Sequence, residues 1–159
     1  MSGLRTLVQS CDTCSLCHNM SVSPVAIEYF GELPISVLIV IGVLVKTEND
    51  ISQEVIMGPN REILKSIFEK YNLSFAITFL VKCKTDTKKY NKSDVKKCNW
   101  VKTEISTLKP KWKIGMGDLK YSDVEFDLVT HSPHTELGSA ESIKRFCKKI
   151  EGLINDKHI

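Results

Sequence analysis

The apolar run Val37-Leu38-Ile39-Val40-Ile41, ended by Gly42, constrains this chain more than any other feature. A strand with one face in water alternates apolar and polar residues, and an unbroken, mostly β-branched run leaves no wet face. The run therefore reads as a strand buried on both sides, as in a parallel sheet. The rest of the chain must then supply helices to cover both faces. Phe75 to Val81 repeats the pattern, and Trp112 to Ile114 and Phe126 to Val129 are shorter strand candidates. Between them the period changes. Ile63, Leu64, Ile67 and Phe68 fall at helical spacing within Glu62 to Tyr71, after the turn signal Gly58-Pro59-Asn60. Ser93 is placed to cap a helix carrying Val95, Trp100, Val101, Ile105 and Leu108 and stopped by Pro110. A last helix from Ser139 sets Ile143, Phe146, Cys147, Ile150, Leu153 and Ile154 on one stripe. A short helix around Leu4, Leu7 and Val8 would precede them all. Strands alternating with helices predict an α/β fold: one three-layer α/β/α domain spanning 1–159, with a central, mainly parallel four-stranded sheet.

Composition narrows the class. With 42% apolar and 26% charged residues in 159 positions, the chain suits one globular domain and not a disordered tail. The apolar run from Val37 to Val45 is too short for a bilayer, which needs about 20 residues. Met1 to Ser10 lacks the apolar stretch of a secretory signal. The expectation is an intracellular protein with no membrane partner, in the cytoplasm or nucleoid or, for a viral chain, in the host cell. The net charge of +3 conceals an asymmetry: Lys82 to Lys113 holds eleven lysines against three acids, a local +8 set against −5 elsewhere. Such a segment suits phosphate, because lysines neutralise a nucleic-acid backbone and release its counterions. It also reads as a solvated helix face. The few aromatics among the lysines, Tyr90, Trp100 and Trp112, make a weak stacking platform.

In a parallel sheet the ligand crevice lies beyond the carboxyl ends of the strands. Here those ends are the segments 42–49, 79–84, 115–118 and 130–135. Six cysteines accompany them. Cys11, Cys14 and Cys17 form a tight Cys-x-x-Cys-x-x-Cys cluster, while Cys83 closes a strand and Cys98 lies on the following helix. Short turns between paired cysteines aim thiolates at one metal centre, and four thiolates suit either a 4Fe–4S cluster or zinc. Spacing alone leaves Cys17 open as a ligand in place of Cys98. Cys147, on the last apolar stripe, reads as a core residue.

Taken together, these segments resemble the uracil-DNA glycosylase superfamily, in particular its iron–sulfur branch, family four. Cys11-Asp12-Thr13-Cys14-Ser15-Leu16 is similar to that family's opening C-x-x-C-x-L. Leu38-Ile39-Val40-Ile41-Gly42, then Asp50, then Ile56-Met57-Gly58-Pro59 follow the spacing of its first strand and the motifs after it. Thr78-Phe79-Leu80-Val81-Lys82-Cys83 matches T-N-x-V-K-C, with Cys98 as the further cysteine about fifteen residues on. Lys109-Pro110-Lys111-Trp112-Lys113-Ile114-Gly115 echoes the family's K-P-K strand, and Thr130-His131-Ser132-Pro133 resembles its histidine loop, H-P-S-P. The resemblance implies a 4Fe–4S cluster on Cys11, Cys14, Cys83 and Cys98, with zinc as the alternative. It implies DNA as partner, with Lys46, Lys82, Lys84, Ser132 and Pro133 toward the strand, and a base pocket at Gly42, Val43, Ile56 and Phe79.

Within that frame several motif positions depart from the family. Its water-activating acid falls on Val43, its uracil-stacking Phe on Ile56, and the Asn that reads the pyrimidine edge on Phe79. His131 and Asp50 remain as candidate catalytic groups: an imidazole donor to steady the anionic leaving base and a carboxylate to position water. Three functions stay open. One is a divergent glycosylase that excises a damaged or modified base by N-glycosidic hydrolysis. Another is a catalytically silent iron–sulfur relative acting as a DNA-binding or protein-assembly module in replication or repair. A third is a zinc-stabilised module whose lysine-rich helix docks on an acidic protein.

Overall fold

A computed structural model describes residues 27–42, 59–82 and 92–156. Its strands are β1 (Glu28–Phe30), β2 (Val37–Ile41), β3 (Phe75–Phe79), β4 (Trp112–Met116) and β5 (Leu128–Thr130). The helices among the described residues are α1 (Pro59–Lys70), α2 (Lys92–Lys97), α3 (Trp100–Leu108), α4 (Pro133–Glu136) and α5 (Ala140–Asp156). They build one mixed sheet in the order β1-β3-β2-β4-β5.

Each residue of β2 is buried, as its unbroken apolar run demands, and the strand pairs in parallel with β3 on one side and β4 on the other. Alternate residues supply opposite cores. Val37, Ile39 and Ile41, with Phe75, Ile77, Phe79, Trp112, Ile114 and Met116, pack with Leu64, Ile67 and Phe68 of α1 and Phe146 and Ile150 of α5. Leu38, Val40 and Ala76 form the second core with Val95, Cys98, Val101 and Leu108 from α2, α3 and their junction. Helices thus cover both faces, compatible with the three-layer expectation. Each fully buried aliphatic side chain in these layers contributes about 1.5–3 kcal/mol from leaving water.

The sheet differs from expectation in one strand. It has five strands and is mixed, because β1 adds antiparallel to β3 in the register Glu28↔Ile77, Tyr29↔Ala76, Phe30↔Phe75. Three half-buried residues carry too little alternation to announce a strand; the pairing is fixed by tertiary contact, with Phe30 stacked on Phe75 at 4.6 Å. The helix expected from Ser93 to Leu108 is two helices, broken at Cys98-Asn99, where Asn99 leaves helical geometry and its carbonyl accepts from Lys102 N–H. The final helix starts where expected: Ser139 Oγ accepts from Ser142 N–H at 3.1 Å, a side-chain cap. The expected helix around Leu4 to Val8 lies outside the described residues. No helix among the described residues is long and apolar enough to cross a membrane.

Candidate functional site at the carboxyl edge of the sheet

The parallel strands end in a row tied together through the backbone. Leu80 N–H donates to Ile41 C=O at 2.8 Å, Gly42 N–H to Met116 C=O at 2.9 Å, and Gly117 N–H to Thr130 C=O at 3.1 Å. Expected site segments from four strands therefore meet on one edge. The approach between β2 and the chain after β4 is close enough to require glycine: a Cβ on Gly42 would sit 2.0 Å from the carbonyl oxygen of Asp118. Gly117 takes a left-handed φ of 91°, which glycine adopts without strain, and its empty Cβ position faces Ser132 at 3.7 Å. Gly42 and the His131–Pro133 loop are thus brought together through Gly117.

The loop after β5 is fixed from both sides. His131 has an exposed side chain, and its backbone N–H donates to Glu136 Oε1 at 3.0 Å. Thr130 Oγ1 donates to the His131 carbonyl at 3.1 Å. Ser132 caps α4, its Oγ accepting from Thr135 N–H, and Pro133 occupies the first turn, where a missing N–H costs nothing. Glu136 is buried, and the same Oε1 accepts from Lys149 Nζ at 3.1 Å. The arrangement presents an imidazole at the carboxyl edge on a pinned main chain. Sequence reasoning missed Glu136 and Lys149, because neither stands in a motif and the two meet only through the packing of α4 on α5.

Phe79, expected in the base pocket, is 4% exposed and belongs to the core beneath α1 and α5. Its ring carries no hydrogen-bonding group and packs in that core, so the side chain cannot read a base edge.

Lys82 corrects an expectation. Read from the sequence as a phosphate contact, it is fully buried. Its Nζ donates to Glu104 Oε1 at 2.6 Å, to the Phe79 carbonyl at 2.7 Å and to Thr78 Oγ1. Thr78 Oγ1 in turn lies 2.8 and 2.9 Å from the two carboxylate oxygens of Glu104. Desolvating an ammonium is tolerable only with such a partner, so the side chain is committed inward and offers nothing to DNA. One signal could have found the pair: Glu104 stands on the apolar stripe of α3 between Val101 and Leu108, where an unpartnered acid would be costly.

Cys98 is 4% exposed, and its Sγ accepts a hydrogen bond from Lys82 N–H at 3.3 Å. The sulfur therefore sits against the main chain one residue before Cys83. A buried sulfur receiving a backbone N–H is what a thiolate ligand needs, because such hydrogen bonds hold the ligand and offset its charge. Cys98 thus fits the ligand role. Cys11, Cys14 and Cys83 lie outside the described residues, as do Val43, Lys46, Asp50, Ile56 and Lys84. Among the described residues no group of three or more His, Cys, Asp or Glu side chains gathers to hold a metal ion. No family model matches the chain, and no curated protein matches it.

Proposed function

We propose that the chain is a divergent, uracil-DNA glycosylase-like protein that binds DNA as a module, with its base-reading position given over to the core. Phe79 carries this reading: an apolar ring packed under α1 and α5 replaces the amide that would recognise a pyrimidine. A 4Fe–4S cluster on Cys11, Cys14, Cys83 and Cys98 would tie the amino-terminal segment to the sheet edge, with zinc as the alternative. The placement of Cys98 Sγ against Lys82 N–H supports this assignment. The lysines of segment 82–113, other than Lys82, supply the charge for phosphate. Lys92, Lys96, Lys102, Lys109 and Lys111 are all exposed.

Base excision is the second reading, favoured by the exposed His131 on its pinned loop. There the imidazole would donate to the departing base while Asp50 positions water. The two readings separate in one experiment. Binding is measured by fluorescence anisotropy on duplexes carrying uracil, hypoxanthine or modified pyrimidines, and base release is assayed on the same duplexes. The module reading expects binding that falls steeply with salt, by about 0.9 log units per phosphate contact for each decade of salt, and no base release. Release abolished by His131→Ala would replace it with the enzyme reading. A protein that binds neither the duplexes nor their separated strands overturns both.

A further inference from the structure

Between the α2–α3 junction and the loop joining β4 to β5 lies a cavity of about 300 Å3, with Leu80 and Cys98 among its lining residues. Lys96 and Lys102 line it from the helices, and Tyr121 and Asp123 from the loop. Three features set it apart from an incidental hollow. Its size is at the lower end of ligand pockets, roughly 300–1,000 Å3, which suits one small planar unit and excludes a duplex. Tyr121 holds a left-handed φ of 70°, a conformation unfavourable for a bulky side chain, and the residue, 41% exposed overall, lines the cavity. The rim is cationic: Lys96 and Lys102 stand there, and Lys120 Nζ lies 4.9 Å from the centre of the Tyr121 ring.

Asp123 is the opposing charge. Its carboxylate pairs with Lys102 at 2.5 Å, and the hydrogen bond from Lys102 holds its carboxyl below the usual carboxylate range. Both side chains of this pair are more than half exposed, so the pair is weak and Lys102 exchanges partners at little cost. A phosphate is such a partner. The combination of an exposed aromatic face and flanking ammonium groups is how proteins hold unpaired nucleotides: the base stacks and the backbone is neutralised.

We propose that this cavity seats one unpaired nucleotide of a DNA strand, its base against Tyr121 and its phosphate between Lys96 and Lys102. The inference rests on the DNA-binding reading and deepens it, making single-stranded DNA the preferred form. His131, Gly42 and Phe79 are not among its lining residues, whereas Cys98, the proposed metal ligand, is.

The test is fluorescence anisotropy of the full-length protein with a labelled single-stranded oligonucleotide and with the same sequence as a duplex. Metal content is measured on each preparation. Tyr121→Ala should weaken single-strand binding about tenfold, within the range for losing one base–aromatic stack, while Tyr121→Phe, which keeps the ring, binds like the unaltered protein. Lys96→Gln and Lys102→Gln should each make the salt dependence on the single strand shallower by about 0.7, the value for one phosphate contact. Lys148→Gln, on exposed α5, should change neither quantity. Tyr121→Ala binding the single strand as tightly as the unaltered protein overturns the inference and leaves the DNA reading standing. So does a Tyr121→Ala protein that loses metal but not strand affinity, because the cavity would then belong to the metal site. Failure of the unaltered protein to bind either form overturns the inference and the DNA reading together.

Discussion

An ammonium taken out of water persists only against an anion, and Lys82 has its anion in Glu104, reached from β3 across to α3. Thr78 and the Phe79 carbonyl complete the set, so the charge is held by oxygens from two elements. The energetic consequence is asymmetric. Removing one partner strands the other charge in the interior, whereas removing both leaves an apolar space that hydrocarbon fills. Glu104→Ala should therefore lower stability by about 3–5 kcal/mol, and Lys82→Met with Glu104→Leu should recover most of that loss. Urea unfolding of the two variants beside the unaltered protein measures both. A double variant no more stable than Glu104→Ala would show that the pair contributes net stability.

At the scale of elements, the carboxyl edge depends on how closely β2 and the chain after β4 approach. Gly42 permits that approach, since a Cβ there would collide with the main chain at Asp118 and not with a flexible side chain that gives way. Gly42→Ala should cost about 1–3 kcal/mol, the range for forcing an extra carbon into packed structure, by pushing β2 from the Gly117 turn. A thermal midpoint unchanged by Gly42→Ala would mean that the edge is looser than its hydrogen bonds imply. The elements most legible in the sequence are those whose chemistry is local. The run from Val37 to Ile41 declares a two-faced strand whatever surrounds it, and Ser139 declares the start of α5 through a hydrogen bond three residues away. The elements missed are set at a distance. β1 exists because three residues dock on β3, and the break between α2 and α3 falls where Cys98 turns its sulfur to Lys82. The site divides in the same way. The proximity of Gly42 to the His131 loop was readable from strand ends, because parallel topology puts those ends on one edge. The inward turn of Lys82 was not, because a lysine within a lysine-rich segment gives no sign of its partner until α3 delivers Glu104.

Over the whole molecule, the buried pair leaves the electrostatics of the basic segment intact. Lys82 and Glu104 withdraw together, so the remaining lysines and acids of 82–113 keep the same local +8. That charge borders an edge where Cys98 is already held by a main-chain hydrogen bond, and this joins the proposed DNA surface to the proposed metal site. The arrangement makes a specific claim about metal. Cys98→Ser retains a small side chain but replaces a soft thiolate donor with a hydroxyl, so purified protein should lose most of its iron and its visible absorption. Cys147→Ser alters a thiol packed against the opposite core, beneath α5, and should keep both. Folding is checked separately by circular dichroism, since loss of metal through unfolding would also lower the iron content. Iron retained at full stoichiometry in folded Cys98→Ser removes Cys98 from the ligand set and leaves Cys17 as the alternative fourth thiolate. Zinc in place of iron keeps the ligand assignment and replaces the cluster with a structural ion.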